Sequence, residues 1–407
     1  MKKIFMFIFL TIIVSVSITP ILSNENLSIR NKINQSSKLT IYTYESLMAD
    51  PYYDIESNFS QYAGIPKDQI SIQRFGDANE IISRLVAEKD NPVADVAIGI
   101  DNALIHLINP NDVLEKYQPL GIDDIDQNLI TNLDPQGYLI PYDYGIISLF
   151  YQNQIINASN TPIIENFTFD KLLNSNIMSK IIIENPKFSS PGLGFLLWTI
   201  AIYGDKQNQI DGLLQQDWRE FWQKAGPSVN ITKSWGEAFT VFFDPAEEKP
   251  IMVSYGTSPA YGNCLWGDES TSALLTHEND TNNGWLQIEG LGLVKNAPNS
   301  DNGKKFIDWF LSTDLQDKIP GTQWMYPANT KASIPECFEQ ASINPATVFR
   351  LNNILTPEIL DLHLQEWMNE WEIVIVQKNI SGFDAFSFFL SFMIFFTIIH
   401  LRKKNKQ

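Results

Sequence analysis

Leu39-Thr40-Ile41-Tyr42-Thr43-Tyr44 alternates apolar and hydroxyl-bearing residues and reads as a first β-strand. Ala94-Asp95-Val96-Ala97-Ile98-Gly99-Ile100 is a short β-branched run of the kind buried on both faces in a parallel sheet. Between them, Asp54 to Tyr62 reads as a helix, Ile70 to Arg74 as a strand, and Ala78 to Glu88 as a second helix. That last segment carries Ile81, Ile82, Leu85 and Val86 at helical spacing. Strands alternating with helices over a hundred residues predict an α/β lobe with a mostly parallel sheet.

Tyr138 to Tyr151 reads as a strand broken by Pro141 and Gly145, which suits a crossing out of this lobe. A second alternating series follows: strand Ile181–Glu184, helices Gly194–Tyr203 and Trp218–Lys224, and strand Ile251–Tyr255. The apolar stretch Leu286–Val294 precedes an amphipathic helix over Gly303–Ser312, and a helix from Pro357 to Trp371 closes the globular part. The pattern predicts two α/β lobes joined by more than one crossing, with a cleft between them. Residues 39–141 and 289–327 are expected in lobe 1, and 142–288 and 328–378 in lobe 2.

Both ends read as targeting signals. Met1-Lys2-Lys3 followed by apolar residues from Ile4 to Val16 is expected to be a signal peptide over 1–24, with a polar spacer over 25–38. The apolar run to Leu401, then Arg402-Lys403-Lys404, predicts a transmembrane anchor over 383–401 and a cytoplasmic tail over 402–407. On this reading the protein is single-pass in the cell membrane with its lobes extracellular. The formal charge of −18 argues against nucleic acid as a partner and favours cations entering a cleft. Cys264 and Cys337 are the only cysteines, which excludes a disulfide framework and leaves one bridge open. Asn58, Asn157, Asn166 and Asn230 lie in Asn-x-Ser/Thr tripeptides, a pattern common by chance.

Short aromatic and hydroxyl-rich motifs carry the functional signal, because they sit beside Gly, Pro and Ser where chains turn and sites form. Tyr44-Glu45 follows the first strand, where α/β folds place ligand contacts, although Tyr44 also fits as a plain strand residue. Asp77 is either a helix N-cap or a ligand carboxylate. Ser189-Ser190-Pro191-Gly192-Leu193-Gly194 leads into a helix. It reads as an ordinary cap or as a site for an oxyanion, hydroxyl or phosphate. Trp235 opens another helix, and Tyr255 and Tyr261 bracket a turn-rich Gly-Thr-Ser-Pro-Ala segment. Trp324 lies in a loop before Tyr326-Pro327. Together these predict a cage for a flat organic cation, a receptor rather than a catalyst.

The ordered set of Tyr42-Thr-Tyr44, Ala94 to Asn102, Pro141-Tyr-Asp-Tyr-Gly145, Ser190-Pro-Gly-Leu-Gly194, Ser254 to Tyr261 and Trp324-Met-Tyr-Pro327 resembles the thiamine-binding proteins of ABC importers. These belong to the extracellular solute-binding superfamily, and the similarity runs from about Leu39 to Trp371. The resemblance implies a two-lobed periplasmic-binding-protein fold of type II, here with a C-terminal transmembrane helix added. It implies no cofactor, thiamine or its phosphates as ligand, and an ABC permease and ATPase as partners. Tyr44, Trp235, Tyr261 and Trp324 would enclose the rings, with Tyr255 lining the same cleft. Ser189, Ser190 and the amides around Gly192 would meet the hydroxyethyl or phosphate end, and Glu45 and Asp77 would lie near the site. Pro141 to Gly145 would be a hinge, and Asp101-Asn102 a turn at the cleft floor. The chain departs from the pattern at Pro51-Tyr52-Tyr53, where the family carries a tryptophan, and over Gly262 to Gly284. Two alternatives stay open: the same fold binding iron, a polyamine or a phosphonate, and an exported thiamine-degrading enzyme with Cys264 as nucleophile.

Overall fold

The computed structural model describes residues 38–48, 53–108, 111–159, 161 and 164–379. Eight strands form the path that positions the site: β1 (Leu39–Tyr44), β2 (Ile70–Phe75), β3 (Val96–Asp101), β4 (Ile140–Gln152), β5 (Ile181–Glu184), β6 (Asn230–Thr232), β7 (Ile251–Tyr255) and β8 (Leu286–Val294). They lie in the order β2-β1-β3-β8-β4-β7-β5-β6. β1 is parallel to β2 and β3, and β5 is parallel to β6 and β7. The two central strands reverse direction: β8 runs antiparallel to β3 and to β4, and β7 runs antiparallel to β4.

β4 is the shared strand. Its first part, Ile140 to Ile146, pairs with β8, while Ile147 to Tyr151 pairs with β7. The expected lobe boundaries therefore fall inside β4 and β8 rather than between elements. Pro141 and Gly145 do not break β4, contrary to expectation; the strand is continuous over 13 residues. Pro141 faces Gly290 where the register shifts, so the ladder bond that proline cannot make is absent there anyway.

The helices start where capping chemistry allows. The side chain of Asp54 accepts from the Ser57 amide at the head of α1 (Ile55–Ala63), and Asp77 accepts from the Glu80 amide at the head of α2 (Ala78–Ala87). α3 (Ser190–Tyr203) is apolar nearly throughout and buried along its length. α4 (Trp218–Ala225) packs beneath it, α5 (Trp235–Phe243) and α6 (Pro259–Trp266) flank the cleft, and α7 (Pro357–Asn379) closes the described chain. Of the ten tryptophans, Trp198, Trp218, Trp222, Trp285, Trp367 and Trp371 are fully buried. Burying each stabilises the fold by about 1.5–3 kcal/mol. These six and the nearly buried Trp309 are core; Trp235, Trp266 and Trp324 are the candidates for function.

The expectation of an added transmembrane helix, and with it a single-pass location in the cell membrane, is corrected here. No described helix is long and apolar enough to cross a membrane. The last one, α7, has the length but carries Glu358, Asp361, Glu366, Glu370 and Glu372, which hydrocarbon would not accept. The calls on 1–24, 25–37, 383–401 and 402–407 fall outside the described residues.

Candidate functional site

The carboxyl ends of β1 and β3, the middle of β8, the end of β7 and the heads of α2, α3 and α5 converge on one cleft of about 340 Å³, within the range of small-molecule sites. Seven aromatic side chains line it: Tyr44, Phe188, Trp235, Phe239, Tyr255, Tyr261 and Trp324. Several are held in place by specific contacts. Tyr44 packs the Cδ1–Cε1 edge of its ring against β3 because Gly99 has no side chain; a Cβ there would sit 2.2 Å from both atoms. The Trp235 indole donates to Ser254 Oγ at 2.9 Å, and Ser254 in turn bonds Ser258 at 2.7 Å. Trp235 stacks on Phe239, one helical turn along α5, with centroids 4.9 Å apart. Tyr261 stands edge-on to Trp324 at 5.3 Å. Trp324 has φ +59°, a conformation that costs a bulky residue about 1–3 kcal/mol and is kept where a site needs the side chain aimed.

The floor is acidic. Glu289 accepts from the hydroxyls of Tyr44 at 2.6 Å and Tyr142 at 2.5 Å, and from the Gln287 amide at 2.9 Å; Tyr255 reaches it at 3.4 Å. Gln323 donates to Tyr44 at 2.5 Å, which orients that phenol towards the carboxylate. Asp143 is the direct register partner of Glu289 across β4 and β8. Its two oxygens are buried with no hydrogen-bond partner. Burial, then the Glu289 charge, pushes the Asp143 carboxyl well above the usual range. Burial also raises Glu289, opposed by the phenol bonds. With every donor on Glu289 and none on Asp143, Asp143 holds the proton and Glu289 the charge. Burial first, and the nearby acids second, push the Tyr44, Tyr142 and Tyr255 phenols well above their ordinary value, so all three are neutral donors.

Eight of the residues singled out in the sequence line this cleft: Tyr44, Asp77, Ser189, Ser190, Trp235, Tyr255, Tyr261 and Trp324. Asp77 serves both readings at once. It caps α2 through a 2.8 Å bond and borders the cleft, with its carboxyl pushed up to about 6 chiefly by burial. Glu45 is exposed at the rim, where a Cβ on Gly236 would lie 3.1 Å from its Oε1. That puts its carboxylate against the head of α5, a favourable place for an anion. Gly192 is not on the lining. A Cβ there would lie 2.4 Å from the Glu184 carbonyl oxygen, so this glycine serves the approach of α3 to β5. The Ser189 hydroxyl accepts from the Gly192 amide as an N-cap. Tyr261 lies in the first turns of α6, not in a turn-rich loop. Tyr53 packs against the core away from the cleft, and Tyr52 is outside the described residues. Phe239, Glu289 and Gln323 were not read from sequence. Phe239 could have been found four residues after Trp235, and Glu289 as the lone charge inside an apolar strand.

Asp101 and Asn102 form the expected floor turn. Asp101 accepts from the Ala103 and Leu104 amides, and Asn102 bridges to Leu286 and Ile288 on β8. Cys264 is joined to Cys337, tying α6 and its Tyr261 to the helix Glu336–Ala341. The thiol that a degrading enzyme would need as nucleophile is therefore not free. Among the described residues no group of His, Cys, Asp and Glu is placed to hold a metal ion.

Two halves sharing central strands over a ligand-sized cleft define an extracellular binding protein. The chain belongs to the bacterial extracellular solute-binding protein family, whose model matches residues 57–317. It is a binding protein and not an enzyme. Within that family it is similar to the thiamine-binding periplasmic proteins of Brucella abortus and Escherichia coli. Each is 28% identical over 82% of this chain, covering 91% and 92% of the relative. A solved periplasmic thiamin binding protein superposes with a TM-score of 0.68 at 26% identity, covering 83% of this chain and 96% of that one.

Proposed function

We propose that the protein is the substrate receptor of a thiamine import system of the ABC class. It takes thiamine or its phosphates into the aromatic cleft and delivers them to a permease powered by a separate ATPase. One observation carries this: seven aromatic side chains with the carboxylates Glu289 and Asp77, and no Lys, Arg or His, among the lining residues. Such a lining rewards a flat cation, because aromatic faces attract positive charge and the buried acid is left without an internal counter-ion. A thiazolium carries that charge permanently, and an aminopyrimidine supplies the second flat ring. A phosphonate or other anion would meet Glu289 unshielded. The capped head of α3, with Ser189 and Ser190, suits the hydroxyethyl or phosphate end.

Tryptophan fluorescence of the purified protein, titrated with thiamine, tests the proposal. Saturable quenching is expected, with affinity weakened about tenfold or more in Trp235→Ala and in Tyr261→Ala. Silence towards thiamine with a response to spermidine or ferric citrate would overturn it.

A further inference from the structure

Two ladders of aromatic rings leave the cleft and run outward together. Along α5, Trp235 stacks on Phe239, and Phe239 meets Phe243 edge-on at 4.8 Å. Across from it, Trp324 meets Tyr261 at 5.3 Å, and Tyr261 meets Trp266 at 5.2 Å on its other side. The inner ends line the cleft. The outer ends line a separate groove of about 650 Å³, which shares Phe239, Ser258 and Tyr261 with the cleft. At that outer end Trp266 is 67% and Phe243 48% exposed, although rings of this size are ordinarily covered.

The groove has a charge preference as well. Asp244 and Asp268 are on its lining, and no Lys, Arg or His is. The C-terminal end of α5 points into it, since Phe243 is the last helical residue and Asp244 its cap. Terminal carbonyls give that end a partial negative charge. We infer that this outer groove is a second, weaker site for a flat organic cation, held between Phe243 and Trp266 and flanked by Asp244 and Asp268. The site rests on the cation-binding reading of the cleft, of which it is the outward continuation. A protein surface docked on the same rings would use their apolar area without needing the two carboxylates.

Equilibrium dialysis with thiamine and, separately, with N-methylquinolinium tests the inference. For the wild-type protein, thiamine bound per chain should rise from one to two as its concentration approaches about 10 mM, the second step having a dissociation constant on the order of 1 mM. Trp266→Ala should stop at one while keeping the tight step within about twofold, and Asp268→Asn should weaken the second step several-fold. N-methylquinolinium, which lacks the aminopyrimidine, should saturate in the wild type and lose at least one bound equivalent in Trp266→Ala. A wild-type plateau at one thiamine, with N-methylquinolinium binding unchanged by Trp266→Ala, overturns the outer site and leaves the cleft assignment standing. Loss of the tight thiamine step with Trp266-dependent N-methylquinolinium binding does the reverse.

Discussion

The protein buries two clusters of carboxylates and treats them in opposite ways. Beneath α3, Asp205 is fully buried and meets Arg219 at 2.8 Å, with Glu370 on the other side of the same guanidinium. Trp367 and Asn208 also donate to it. Burial alone would raise this carboxyl, but the bonds from Arg219, Trp367 and Asn208 outweigh it and hold it at about 2. At the cleft floor, Glu289 and Asp143 are as deeply buried and are surrounded by phenols and an amide instead of a cation. The first cluster is complete and ties α7 to α4. The second has no cation of its own, and on the proposed reading the ligand would supply it, so that Asp205 would belong to the fold and Glu289 to the ligand.

Removing the internal cation is the harshest test of that contrast. Arg219→Met leaves Asp205 and Glu370 uncompensated and should cost about 3–5 kcal/mol in urea unfolding, with thiamine affinity of the surviving folded protein unchanged. Affinity falling in step with stability would erase the distinction. Glu289→Gln is expected to behave in the opposite sense. It removes a buried charge, so unfolding free energy at pH 7 should hold or rise by about 1 kcal/mol. Thiamine affinity should fall about tenfold to a hundredfold in calorimetric titration. An undiminished affinity would mean that the floor acid is structural after all.

Much of this fold was legible because its signals are local. Leu39–Tyr44, Ile181–Glu184 and Ile251–Tyr255 match their strands to the residue, since pattern and bounding turns lie within a few positions. The apolar stretch Leu286–Val294, given no element type from sequence, is a strand over the same bounds. Asp54 and Asp77 stand where helix heads need an acceptor. The aromatic motifs that gather at the cleft were visible because rings beside Gly, Pro and Ser are poor core residues. Glu289 was not, because its meaning comes from register: it faces Asp143 from a strand more than a hundred residues away, inside a run that reads as apolar. Gly192 was read as a ligand contact because a glycine reports close approach without naming the partner, which here is Glu184. Pro141 sits in a continuous strand because the pairing with β8 shifts register at its neighbour Tyr142, between the Asp143–Glu289 and Pro141–Gly290 pairs, a feature of the partner strand's register that β4 alone does not show.

Asp77 gives the smallest effect and the finest comparison, since it is both cap and cleft wall. Its carboxyl is pushed up to about 6, mainly by burial. An acid raised in the folded state contributes stability that is fully present below its unfolded value near 3.9 and is lost as pH rises through about 6. Asp205 has the opposite slope, its contribution being lost only as pH falls from about 4 through about 2. A cation in the cleft favours the ionised form of Asp77. Thiamine affinity should therefore rise about two- to fivefold between pH 5 and pH 7 while stability declines slightly over the same interval. Asn at position 77 keeps an oxygen to accept from the Glu80 amide, so the α2 cap survives in Asp77→Asn. Both pH trends should flatten in that variant, measured by calorimetry and by urea unfolding at the two pH values. If the affinity trend persisted in Asp77→Asn, the titrating group would have to be sought at the cleft floor, in the Glu289–Asp143 pair.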